Sequence, residues 1–160
     1  MVDVHSKAIR TKNMQAIKNK NTFIENRINH LLKVLEIPFQ FQVKVLSGKP
    51  DFVIACYNAI IFTNGCFWHR HNCHQFKLPK TNLDFWKNKI NNNYSRDMRN
   101  MLALIHQGWK VLIIWECALK GKHKLTDYQL IERIEEWLCS HEQCAEIDTK
   151  GLKKLNITIY

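Results

Sequence analysis

Residues 50–73, P-D-F-V-I-A-C-Y-N-A-I-I-F-T-N-G-C-F-W-H-R-H-N-C, decide the fold of this chain. Asp51 heads an apolar run over 52–56, and a second run from Ala59 delivers Thr63 and Asn64. Two short, continuously apolar runs split by Tyr57-Asn58 predict a tight hairpin of central strands. That pairing brings Asp51 and Thr63 together at one end of a sheet. An aspartate at the head of a buried strand is costly unless it meets a cation or a firm partner. A plainer use, as a turn residue after Ser47-Gly48-Lys49-Pro50, competes with that reading. Asp51, Thr63 and Asn64 offer the oxygen set of a hard ion such as Mg²⁺, and Glu25 and Asp97 suit its bound waters where helices bring them close. His69 is a candidate general base or acid, since histidine is the side chain suited to that work near neutral pH, although loop histidines are often merely exposed.

The end of the stretch is dense in metal-binding and aromatic residues. Cys66, His71 and Cys73 fall within eight residues, and Cys117 can return from the end of a later strand. Three thiolates and an imidazole make a closed tetrahedral zinc site that holds a loop without catalysing anything. His69 and His74 compete as the nitrogen ligand, and reduced, buried cysteines are the alternative. Phe67 and Trp68 cannot both enter the core easily; in a basic protein they can wedge into a base stack, joined by Trp86, for which core packing is the competing use.

Outward from this stretch, Ile24, Ile28, Leu31 and Leu35 fall on one face of a helix over 22–36, with Thr22 and Glu25 spaced as a capping box. Glu25 therefore has a purely local use as well. Alternation over 39–45 predicts a half-buried strand. A long helix is expected over 83–106, stopped by Gln107-Gly108, then a buried strand over 111–115 delivering Glu116 and Cys117. An acidic amphipathic helix follows over 127–138, and a short strand over 157–160 closes the chain. The order predicts an α/β fold in which helices flank a mixed central sheet. Cys56, Cys139 and Cys144 are expected to be buried.

The 160 residues suit one domain with a genuine core, not two. Six irregularly spaced cysteines, and an N-terminus without an apolar leader, argue for a cytoplasmic chain rather than a disulfide framework. No apolar run approaches the roughly 20 residues that span a bilayer, so no membrane role is expected. Twenty-four Lys and Arg against 14 Asp and Glu give a net charge of +10, and seven of the acids lie beyond residue 126. A basic body with an acidic end reads as a nucleic-acid binder that turns one face from the phosphates. Residues 1–20, with Lys7, Arg10, Lys12, Lys18 and Lys20, read as an arm that orders on DNA; Met14 and Ile17 share one helical face within it.

Several blocks then resemble the very short patch repair endonucleases, bacterial enzymes that nick DNA at T:G mismatches. They are D-V-H-S-K-A and R-T-K-N-M-Q-A-I in the arm, G-K-P-D-F-V-I, I-F-T-N-G-C-F-W-H, F-W-K-N-K-I, and G-W-K-V-L-I-I-W-E-C-A-L. The similarity fades after about Cys139, leaving roughly 140–160 as a variable end. It implies a type II restriction endonuclease-like fold, with Asp51 and the Thr63 carbonyl holding catalytic Mg²⁺, His69 activating water, and Glu25 and Asp97 assisting through bound waters. Cys66, His71, Cys73 and Cys117 would hold structural zinc. Phe67, Trp68 and Trp86 would intercalate from the major groove, and Met14 and Ile17 from the minor-groove side. The implied partners are double-stranded DNA with a T:G mismatch, mismatch-repair proteins and a companion cytosine-5 methyltransferase. The implied state is a monomer on the bacterial nucleoid. One departure stands out: Asn64 occupies a position where a member of the family carries histidine, and asparagine cannot be protonated. Two other functions compete, a restriction-like endonuclease on matched DNA and a zinc-stabilised DNA-binding module with impaired catalysis.

Overall fold

The computed structural model describes residues 22–157, so the basic arm with Met14 and Ile17 lies outside the described residues. Helix α1 (Phe23–Val34) begins where the Thr22 hydroxyl accepts the Glu25 amide at 3.4 Å, satisfying one of the donors every helix start leaves open. It turns Ile24, Ile28, Leu31 and Leu32 inward.

Six strands form one mixed sheet in sequence order: β1 (Gln40–Phe41), β2 (Phe52–Ile54), β3 (Ala59–Asn64), β4 (Lys110–Trp115), β5 (Cys144–Asp148) and β6 (Gly151–Lys154). The outer pairings are antiparallel, whereas β3–β4 and β4–β5 are parallel. Parallel neighbours need long crossovers. Helix α2 (Leu83–His106) makes the first, and α3 (Glu116–Leu119) with α4 (Asp127–Leu138) makes the second.

Side chains alternate across a strand, and this splits the core in two. Phe52, Ile54, Ile61, Leu112, Ile114 and Ile147 pack with Ile28, Leu31, Leu130, Ile134 and Trp137 of α1 and α4. Val53, Ile60, Val111 and Ile113 pack with Met101 and Leu104 of α2. Arg27 ties α1 to the second crossover, donating to the carbonyls of Leu119 and Leu125 at 2.8 and 2.7 Å and to Asp127 at 2.9 Å. No helix among the described residues is long and apolar enough to cross a membrane.

Two expectations are corrected, and a third falls largely outside the described residues. The strand over 39–45 shrinks to two residues, because Gln42 takes φ 54°, outside the extended region, and Val45 is 91 % exposed despite its place in the alternating pattern. The strand expected over 157–160 lies mostly outside the described residues, whose last strands are those of the β5–β6 hairpin. Of that expected strand only Ile157 is described, and it lies outside any strand. The cysteines differ as well: Cys144 is buried, but Cys56 sits in an exposed 3₁₀ turn and Cys139 is exposed at the end of α4.

Candidate active site and metal cluster

The β2–β3 register sets Phe52 opposite Ile61, which leaves Asp51 beside the outgoing end of β3. Its carboxylate accepts the Thr63 amide at 2.8 Å and the Thr63 hydroxyl at 3.1 Å. Burial nevertheless pushes the Asp51 carboxyl up to about 6, and the neighbouring Glu25 carboxylate adds to this; the Thr63 hydrogen bonds and His69 pull the other way. Glu25 projects from the first turn of α1, is buried, and accepts a hydrogen bond from the Gln42 side chain at 2.9 Å. Asn64, also buried, ends β3. These groups line one cleft of about 460 Å³.

The opposite wall is α2. His69 Nδ1 lies 2.5 Å from Asp97 Oδ2. In the tautomer that donates Nδ1–H to this carboxylate, Nε2 is left as the acceptor. The loop bearing His69 is strapped to α2 around that contact. Asn93 donates to the Trp68 carbonyl at 3.1 Å, Arg70 donates to Asn91 at 3.1 Å, and the Arg70 guanidinium lies 4.2 Å over the Tyr94 ring. The turn before Pro50 also hugs α2. Gly48 has φ 75°, and a Cβ there would meet Asn100 Cβ and Phe62 Cζ at 3.2 Å each, so no larger residue fits without displacement. That turn sets Lys49 at the cleft, where Arg96 and Asn100 join it. Sequence reasoning missed these three and Gln42. Their residue types are common on any basic surface; only the packing of the turn on α2 brings Lys49, Arg96 and Asn100 together, and Gln42 is placed by its hydrogen bond to Glu25.

The second constellation lies beyond β3 and β4. The ligand atoms of Cys66, His71, Cys73 and Cys117 all fall within 4.8 Å of one another. His71 Nδ1 is 3.4 Å from Cys66 Sγ and 3.6 Å from Cys117 Sγ. His69 and His74, the competing nitrogens, do not belong to this group. The thiols of Cys66 and Cys117 share a hydrogen bond that pushes Cys117 down and Cys66 up, with burial also raising Cys66. Such a set favours a cation in its centre.

Phe67, Trp68 and Trp86 meet edge to face at centroid distances of 5.1, 5.6 and 6.0 Å. None of the three is fully buried, which removes core packing as the whole explanation for Trp86. Phe85, 58 % exposed, extends the group at 5.2 Å from Trp86.

The chain has clear relatives among known proteins. Residues 2–75 match the model of a family described as DNA mismatch endonuclease Vsr. The chain is similar to the DNA mismatch endonuclease Vsr of Escherichia coli strain K12, with 50% identity over 155 residues, 97% of this chain and 99% of that protein. It is 41% identical over 106 residues to the type II nicking enzyme V.XorIIP of Xanthomonas oryzae, covering 66% of this chain and 78% of that one. It is 37% identical over 122 residues to the type II nicking enzyme V.NmeAIP of Neisseria meningitidis, covering 76% and 87%.

Proposed function

The chain belongs to the DNA mismatch endonuclease Vsr family, and from that premise we propose that it nicks double-stranded DNA 5′ of the thymine in a T:G mismatch, starting very short patch repair of deaminated 5-methylcytosine. The observation that carries this reading is the convergence of Asp51, Thr63, Glu25 and the His69–Asp97 pair on one cleft.

The cleft suits a divalent cation, since two carboxylates converge there and burial makes the Asp51 charge costly without one. Asp51 and the Thr63 carbonyl would hold Mg²⁺, with Glu25 and Asn64 on its waters. When bound, the ion supplies Lewis-acid polarisation of the phosphodiester and of water. His69 Nε2 takes a proton from the attacking water, while Asp97 fixes the ring and stabilises the imidazolium that forms. Water oxygen bonds to phosphorus as the bond to the 3′ oxygen breaks, and the 3′ oxygen takes a proton from solvent to leave as a hydroxyl. Lys49 and Arg96 draw the phosphate backbone into the cleft.

Cys66, His71, Cys73 and Cys117 hold structural zinc in this reading. A tetrahedron with metal–ligand bonds of about 2.0–2.3 Å has edges of roughly 3.5–3.8 Å, close to the 3.4 and 3.6 Å separations here. The aromatic trio enters the base stack from the major groove, where a mismatch unstacks at lower cost, and Met14 and Ile17 of the arm enter from the minor-groove side. One active site per chain gives one nick, so a monomer on the nucleoid suffices, with later repair steps left to other enzymes. The 5-methylcytosine would come from a companion methyltransferase. Asp51→Ala and His69→Ala are expected to bind a T:G duplex near wild-type affinity and to lose nicking by roughly 10²-fold or more. Nicking at the wild-type rate by either variant would remove the cleft from the mechanism.

A further inference from the structure

The hairpin of β5 and β6 contributes nothing to the cleft, yet it carries three charged residues to the far side of the cysteine–histidine cluster. His71 presents Nδ1 to the sulfurs and turns Nε2 outward, 4.0 Å from Asp148 Oδ2. The side chains of His71 and Asp148 are only 8 and 9 % exposed, so water screens their interaction little. Asp148 is itself held firmly. Its Oδ1 accepts the Lys150 amide at 2.8 Å, and its Oδ2 pairs with Lys153 at 2.7 Å. The plane of the imidazole is set from the same side of the molecule. Trp115 stacks on His71 with centroids 4.1 Å apart and planes 9° apart, and its indole N–H donates to Glu146 of β5 at 2.9 Å.

Metal-bound histidines characteristically aim the second ring nitrogen at a carboxylate or carbonyl, which fixes the tautomer and strengthens the ligand. We propose that Asp148 is the positioning residue for His71: it holds the proton on Nε2 and presents Nδ1 to the metal, making the C-terminal hairpin part of the frame of the metal site. This rests on the reading of the cluster as a zinc site. At 4.0 Å the contact is longer than a direct hydrogen bond, so charge carries it, and the effect belongs at the lower end of the 10- to 100-fold range typical of such partners.

The test measures zinc retention of the holo-chain against a competing chelator, with no reference to nicking. Asp148→Asn keeps an oxygen for the Lys150 amide but puts a neutral amide where Oδ2 stood; zinc affinity should fall about 10-fold. Lys153→Met removes its ion pairs with Asp148 and Glu146 across the hairpin but leaves the Asp148 carboxylate facing His71, so affinity should stay level or rise. Equal losses in both variants would mean that Asp148 only stabilises the hairpin, and an unchanged Asp148→Asn would overturn the proposal directly. Wild-type chain purified without zinc would sink the zinc reading and this inference together, whereas zinc-loaded wild type with an indifferent Asp148→Asn sinks only the inference. Should Asp148→Asn not fold, ¹⁵N spectra of the His71 ring in the wild-type holo-chain decide. A protonated Nε2 with Nδ1 as ligand is expected, and the reverse arrangement refutes the assignment.

Discussion

Replacing Asp51 by asparagine should make the Mg²⁺-free protein more stable at neutral and alkaline pH while destroying its catalytic centre. Burial and the Glu25 carboxylate raise the Asp51 carboxyl from its ordinary 3.8 to about 6. An acid raised in this way holds its proton more tightly in the folded chain. Its contribution therefore favours folding below pH 4 and is lost as pH rises through 6. At about 1.4 kcal/mol per pH unit, ionised Asp51 disfavours the folded state by roughly 3 kcal/mol at pH 8, falling to about half of that at pH 5. The substituted amide keeps an acceptor for the Thr63 N–H and carries no charge, so it removes the penalty. For a chain of this size, about 3 kcal/mol is a rise of roughly 6–12 °C in Tm. The assay is thermal unfolding of wild type and Asp51→Asn at pH 8 and pH 5 in buffer without Mg²⁺. The variant should gain most at pH 8 and about half as much at pH 5. An equal change at both pH values, or a wild type that is the more stable at pH 8, would refute the electrostatic account of the cleft.

Asp97→Asn should cut nicking by about 10²-fold, since His69 loses the carboxylate that fixes its ring, and single-turnover rates on prebound duplex will show whether binding is spared. Trp68→Ala removes one of three interlocked rings, so discrimination between mismatched and matched duplex should weaken by about 1–3 kcal/mol, read by fluorescence anisotropy; unchanged discrimination would take the trio out of recognition. Asn64→His adds a group that can be protonated at the end of β3, and nicking at limiting Mg²⁺ should become faster than wild type; no change across the Mg²⁺ titration would show that Asn64 serves equally well.

Elements whose residues answer to one period were legible in the sequence. Ile24, Ile28 and Leu31 marked α1; the runs around Tyr57-Asn58 marked β2 and β3; Leu130, Ile134 and Trp137 marked α4. The four metal candidates were legible because cysteine and histidine have few other uses at such density. The β5–β6 hairpin was not, because β5 reads C-A-E-I-D, with acids at two of its five positions. Those acids looked like part of a solvated face, although Glu146 and Asp148 are spoken for by Trp115, Lys153 and His71. A local signal did exist. Asp148-Thr149-Lys150-Gly151 is a turn sequence, closed by Asp148 on the Lys150 amide and by Gly151 at φ 104°. Conversely, the alternation from Phe39 to Val45 promised a strand that Gln42 breaks, and the side chain of Gln42 goes to Glu25 in the cleft. There a tertiary contact outweighed local periodicity. The direct pairing of His69 with Asp97 was beyond the sequence too, since the residues are 28 apart and meet only because the loop is strapped to α2.

The most direct measurement is nicking of two end-labelled duplexes that differ only in a T:G mismatch replacing the matched pair, in Mg²⁺, with both strands followed and the product ends mapped. The account predicts one cut, on the thymine strand only, immediately 5′ of the mismatched base, and little or none in the matched duplex. Equal cleavage of both duplexes, or cuts in both strands, would contradict it.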